Sequence, residues 1–163
     1  MDFKSDLIYP EINVKEKNTT LATNLLEIFT GRNSIINNIL LYLYQASFLE
    51  EKYSSILKNI IDVEINHAKI MSRLINELGF KPRFTYKSFN GYKYYNASYI
   101  NYEINKEKIF QNNFEDKSNL INKMNDLIET IEDNNVKEII NRLVIDYKIH
   151  IKIFNDLLTT EKK

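Results

Sequence analysis

The chain has 163 residues, 44% of them hydrophobic, with 22 basic and 22 acidic side chains that cancel. This length suits one domain with a single sizeable core. The charge balance excludes the clustered basic excess of a nucleic-acid-binding protein, and the absence of cysteine excludes disulfides. No apolar run approaches the ~20 residues that span a bilayer. The opening MDFKSDLIYPEINVKEKN has no apolar stretch of the kind that makes a signal peptide. Cytoplasm is therefore the expected location, with neither a membrane nor nucleic acid as partner.

Only three glycines and two prolines interrupt the chain, so long helices are the natural outcome. Residues 1–19 are polar and mixed, and read as a loosely held arm ahead of a bundle over 20–160. Asn18, Thr19 and Thr20 offer N-cap chemistry. Beyond them Leu25, Ile28, Ile35, Ile39, Tyr42 and Ala46 recur three, four or seven residues apart, an amphipathic stripe. Gly31 is the weak point of this first helix, a kink or a break.

After a tight connection at Glu50–Lys52, a second helix over roughly 54–78 aligns Leu57, Ile60, Glu64, His67, Met71 and Leu74 on one face. Gly79 and Pro82 stop it. Residues 80–104 are aromatic-rich and lack a helical period, an unusually long connection. Such length makes sense if the second and third helices run parallel, because the chain must travel back along the bundle. The third helix, roughly 105–132, aligns Phe110, Phe114, Lys117, Ile121, Met124 and Ile128. A turn at 133–135 leads to a fourth that aligns Val136, Ile140, Leu143, Tyr147, His150, Phe154 and Leu157. The reading is all-α: two helical hairpins joined by one long crossover, the topology of a ferritin-like four-helix bundle.

The two hairpins repeat. His67-Ala-Lys-Ile-Met-Ser-Arg-Leu-Ile matches His150-Ile-Lys-Ile-Phe-Asn-Asp-Leu-Leu at an offset of 83 residues. A repeat of this kind places its two histidines near a pseudo-two-fold axis. One half keeps Glu64-Ile-Asn-His67, whose spacing puts a carboxylate and an imidazole on one helix face within reach of one metal ion. The other half has Tyr147-Lys-Ile-His150.

With these features the sequence resembles the superfamily of rubrerythrins, ferritins and manganese catalases, and most of all its small bacterial manganese-catalase-like branch. That branch's first-helix pattern G-x-x-S-E-L-x-A-I-x-Q-Y-x-Y-Q is matched by Gly31, Ser34, Ile39, Tyr42, Tyr44 and Gln45. Its D-P-R-[YF] stands here as Lys81-Pro82-Arg83-Phe84, and its S-Y-x-N-Y as Ser98-Tyr99-Ile100-Asn101-Tyr102. The resemblance covers residues 30–158 and implies oxygen or peroxide chemistry at a di-iron or di-manganese centre. The superfamily holds its two metals with a Glu from each of two helices and an E-x-x-H from each of the others. Carried across, those positions are Ile35, Glu64 with His67, Lys117, and Tyr147 with His150. Three keep their ligand type; Ile35, Lys117 and Tyr147 replace three of the four carboxylates.

Lys117 would sit where a metal would, bonded to Glu64, with Tyr147 and the imidazoles completing a network. The expectation is a degenerate di-metal site without cofactor, in a pseudoenzyme with a structural or interaction role. The alternative is an oxidoreductase-like protein with a single Fe, Mn or Zn ion on Glu64, His67 and His150. Plainer readings stand beside these: His67 and His150 as satisfied core histidines, Tyr147 as ordinary packing, and Lys117 reaching solvent at a bundle end. The aromatic crossover reads as a packed lid or a protein interface. A homodimer, another protein partner, or a small ligand in the bundle core complete the range of partners.

Overall fold

A computed structural model describes residues 1–161. Helix α1 (Thr19–Thr30) begins where the Asn18 side chain accepts a hydrogen bond from the Leu21 amide at 2.9 Å. It ends at Gly31, where a Cβ would lie 2.4 Å from the Glu27 carbonyl oxygen. Ser34 then accepts from the Asn37 amide at 3.2 Å and starts α2 (Ile35–Ala46). The expected first helix is thus two helices with a true break at Gly31.

Helix α3 (Glu51–Glu77) closes on Gly79, whose φ of +94° suits a residue without a Cβ. The Phe80 amide donates back to the Ile75 carbonyl at 3.2 Å, a Schellman-type end. Helices α4 (Lys106–Thr130) and α5 (Asn134–Glu161) form the second hairpin. Among the described residues, no helix is long and apolar enough to cross a membrane.

The crossover adds a small β element to the mostly helical bundle. Thr85–Ser88 (β1) and Gly91–Tyr94 (β2) form an antiparallel two-stranded hairpin, with Thr85 opposite Tyr94 and Ser88 opposite Gly91. A 3₁₀ turn over Ala97–Tyr99 follows. The segment lies across α1 and α2: the Thr30 hydroxyl donates to the Thr85 carbonyl (2.7 Å), and the Tyr95 hydroxyl to the Asn37 amide oxygen (3.0 Å).

Two apolar clusters divide the bundle lengthwise. One gathers Leu25, Ile35, Met71, Leu74, Ile121, Met124, Leu143 and Tyr147; the other gathers Leu41, Tyr42, Leu57, Ile60, Phe110 and Phe154. Helices α3 and α4 both run from the second cluster to the first, whereas α2 and α5 run from the first to the second. The parallel course of α3 and α4 is what the long crossover serves.

The N-terminal arm is not loosely held. Arg142 donates to the Leu7 and Ser5 carbonyls at 2.8 and 2.9 Å, and the Ser5 amide donates to Asp146 at 2.8 Å. Farther along, the Lys15 amide donates to Asp133 at 2.7 Å.

Candidate functional site

Between the two apolar clusters lies a polar layer. Reading along α3, Leu57 and Ile60 precede Glu64 and His67, and Met71 and Leu74 follow; Lys117 on α4 and His150 on α5 hold the same level. The helical period forces this placement, because every third or fourth residue of each stripe faces the axis. Glu64, His67, Lys117, Tyr147 and His150 are all fully buried.

Glu64 is the hub. One carboxylate oxygen receives the Lys117 ammonium, and the other accepts from the Tyr147 hydroxyl at 3.2 Å. The Lys117 nitrogen lies 4.4 Å from the centre of the Tyr147 ring and 5.4 Å from that of Tyr42, so two aromatic faces shelter its charge. Burial pushes the Glu64 carboxyl up, but the Lys117 ammonium, with His150 and His67, outweighs it and brings the pKa down to about 2. Burial lowers the pKa of Lys117, and Glu64 offsets part of that shift. Tyr147 is raised well above 10.0 by burial and by Glu64, so its phenol stays a donor.

The imidazoles are held from outside the layer. His67 Nε2 lies 2.9 Å from Asp146 Oδ2, which also accepts from the Tyr9 hydroxyl at 2.5 Å. Asp146 Oδ1 accepts from Arg142 at 2.7 Å. Burial opposes ionisation of Asp146, yet these donors hold its carboxyl well below the usual range. An ionised carboxylate only accepts, so His67 Nε2 carries the hydrogen. His150 Nε2 donates to the Phe3 carbonyl at 2.8 Å. Burial lowers the pKa of His150, Glu64 offsets part of that shift, and Lys117 adds to it. The Nδ1 atoms of both rings are buried without a hydrogen-bond partner, and that of His150 lies 3.7 Å from Glu64.

The layer is therefore electrically closed. Glu64 is offset by Lys117 and Asp146 by Arg142, both pairs buried. A neighbouring polar pair, Gln45 and Asn113, exchanges amide hydrogen bonds at 3.1 and 2.8 Å. Two divalent metals need about four carboxylates to balance them. This layer offers only Glu64 free of a histidine clamp, and that carboxylate is already shared with an ammonium. Among the described residues, no group of three or more His, Cys, Asp or Glu is placed to hold a metal ion. The residues do not fit a di-metal centre.

The structure thus brings together five of the six positions singled out from the sequence. The sixth, Ile35, packs in the apolar cluster with Met71 and Leu143 and supplies no donor. Sequence reasoning missed Asp146, Arg142, Tyr9 and the Phe3 carbonyl. The available signal was an Asp–Arg pair four residues apart on the buried side of α5, next to Tyr147.

No protein-family model matches the chain, and no curated protein matches it. Among solved structures it superposes on two crystal structures of KatB, a manganese catalase from Anabaena, one of them described as wild type. Each has a TM-score of 0.87 at 21% identity, covering 100% of this chain and 82% of the catalase chain. The chain has the fold of a manganese catalase.

Proposed function

We propose that this protein is a ferritin-like bundle whose centre works without metal, serving a structural or interaction role rather than redox catalysis. The observation that carries this reading is the buried Lys117–Glu64 pair at the level where the fold's metals belong. Two-electron chemistry at paired metals relies on bridging carboxylates. Here the corresponding positions hold Ile35, Lys117 and Tyr147. An ammonium supplies the positive charge that the carboxylate requires, so the core can close with no ion.

What such a protein would present to a partner is the crossover. Its hairpin exposes Phe84, Phe89, Tyr92 and Tyr94, aromatic surface of the kind that enters protein interfaces. Self-association into a dimer and docking of another protein both fit this surface.

A second reading starts from the buried Nδ1 atoms, that of His67 without a hydrogen-bond partner and that of His150 3.7 Å from Glu64. With Glu64 they supply three residues of the right type for one Fe, Mn or Zn ion, although they are not grouped around a common point. The ammonium at the same level weighs against it.

Elemental analysis of protein purified without chelator separates the readings. Metal-free protein whose unfolding temperature ignores chelator supports the first. One metal per chain, lost on His67→Ala or His150→Ala, would establish the second.

A further inference from the structure

We propose that the crossover hairpin is a membrane-contacting element, which dips its aromatic tip into an anionic lipid surface and holds it there with lysines. This rests on the reading above that the crossover is what the protein presents, and it names the partner. The contact is peripheral: among the described residues, no helix is long and apolar enough to cross a bilayer.

The chain's overall charge balance hides one local excess. Between Leu78 and Tyr102 stand Lys81, Arg83, Lys87 and Lys93, with no Asp or Glu among them. All four cations are exposed, and among the described residues none of them has an ion-pair partner. The same segment carries exposed rings: Phe89 at the tip is fully exposed, and Tyr92 and Tyr94 on β2 are 51% and 79% exposed. A Cβ built on Gly91 would meet nothing within 4 Å, so the turn stands clear of the bundle. A convex tip of this kind, without a single carboxylate, is complementary to a negatively charged, fluid surface.

The strand register sets these groups at graded depths. Lys87 stands opposite Tyr92 and Lys93 opposite Tyr86, two and three residues back along the hairpin from Phe89. At about 3.3 Å per residue, their backbones lie about 7 and 10 Å behind the tip. Interfacial apolar faces enter a bilayer by about 5–10 Å. With the Phe89 ring among acyl chains, the phenols reach the headgroup level and the lysine stems extend their ammonium groups to lipid phosphates. Lysine is what separates this surface from a protein interface, whose core is depleted in that residue. Here Lys93 lies between Tyr92 and Tyr94, and Lys87 lies across from Tyr92. Nucleic acid would need a run of free ring faces, yet Tyr92 is stacked on Phe80 with centroids 5.9 Å apart.

The test uses vesicles of phosphatidylcholine alone and of phosphatidylcholine mixed with phosphatidylglycerol. Wild-type protein should sediment with the mixed vesicles far more than with the neutral ones, and high salt should release it. The chain has no tryptophan, so Phe89→Trp places a single reporter at the tip. Its emission should shift to the blue on binding and be quenched by brominated acyl chains. Phe89→Ser should weaken binding about tenfold or more, and Lys87→Gln and Lys93→Gln about fivefold each. These side chains are exposed, so circular dichroism should show an unchanged fold. Folded wild-type protein that ignores the mixed vesicles overturns the proposal, as does binding indifferent to Phe89 and to both lysines. Tighter binding to an oligothymidylate than to vesicles overturns it in favour of nucleic acid. Self-association through the hairpin without lipid binding overturns it too, but keeps the interaction role above. The metal-free reading is decided separately, by elemental analysis.

Discussion

Lys117 on α4 and Glu64 on α3, 53 residues apart in sequence, form an ion pair in which neither side chain has any solvent exposure. A pair this deep is held by mutual dependence more than by net stabilisation. Each charge lost its hydration on folding, and their attraction roughly repays that loss.

Removing one member should therefore cost far more than removing both. Glu64→Gln or Lys117→Met alone should destabilise the fold by about 3–5 kcal/mol. The double variant Glu64→Leu/Lys117→Met should recover wild-type stability or exceed it. Urea unfolding of the four proteins completes the cycle, and simple additivity would refute the pairing.

Stability should fall with acid. Glu64 has its pKa depressed from 4.5 to about 2, so the stability it contributes is complete above 4.5 and is lost as pH falls toward 2. His150 is shifted below 6.5, so the unfolded chain takes up its proton first, and stability drops as pH goes below 6.5. Asp146, also depressed, acts in the same direction as Glu64. Calorimetric unfolding temperatures should rise steadily from pH 3 to pH 7; a flat profile would contradict the network.

The N-terminal arm should come loose when its anchor is altered. Tyr9→Phe removes a hydrogen bond to the Asp146 carboxylate and should cost about 1.5–3 kcal/mol. Asp146→Asn, which also strips Arg142 of its charge partner, should cost about 3 kcal/mol or more. Hydrogen exchange at the Ser5 amide, protected by Asp146 in the wild type, should speed up in both. Unchanged protection there would mean that the arm is held by packing alone.

The break between α1 and α2 should not tolerate a side chain. Gly31→Ala places a methyl 2.4 Å from the Glu27 carbonyl oxygen, which belongs to the backbone and has little room to move. A loss of about 1–3 kcal/mol is expected, whereas Asn33→Ala, next to the break, should cost less. Thermal unfolding of the pair measures the difference.

Much of the site was legible before any coordinates. The repeat placed His67 and His150 on facing helices, and the 3.6-residue period carried Glu64, Lys117 and Tyr147 to the same level. The crossover hairpin was overlooked although Asn90-Gly91, between two Tyr-Lys runs, is the turn chemistry that hairpins use. Its hydrophobic pattern is weak because most of its residues are exposed, so periodicity had little to register. The hold on the arm was illegible for another reason. It rests on backbone carbonyls of Phe3, Ser5 and Leu7, which no side-chain pattern encodes.

The sequence by itself determined the helices, their amphipathic faces and the polar residues that those faces carry inward, because these follow from local period and residue identity. Only the tertiary structure decided which charges meet. Lys117 had the choice of reaching solvent or turning inward, and packing between Tyr42, Tyr147 and Glu64 settles it inward. Likewise the histidine tautomers depend on Asp146 and the Phe3 carbonyl, 79 and 147 residues away in sequence. Such partners are fixed by the closing of the whole bundle, since a buried polar group takes whichever neighbour the fold brings within reach.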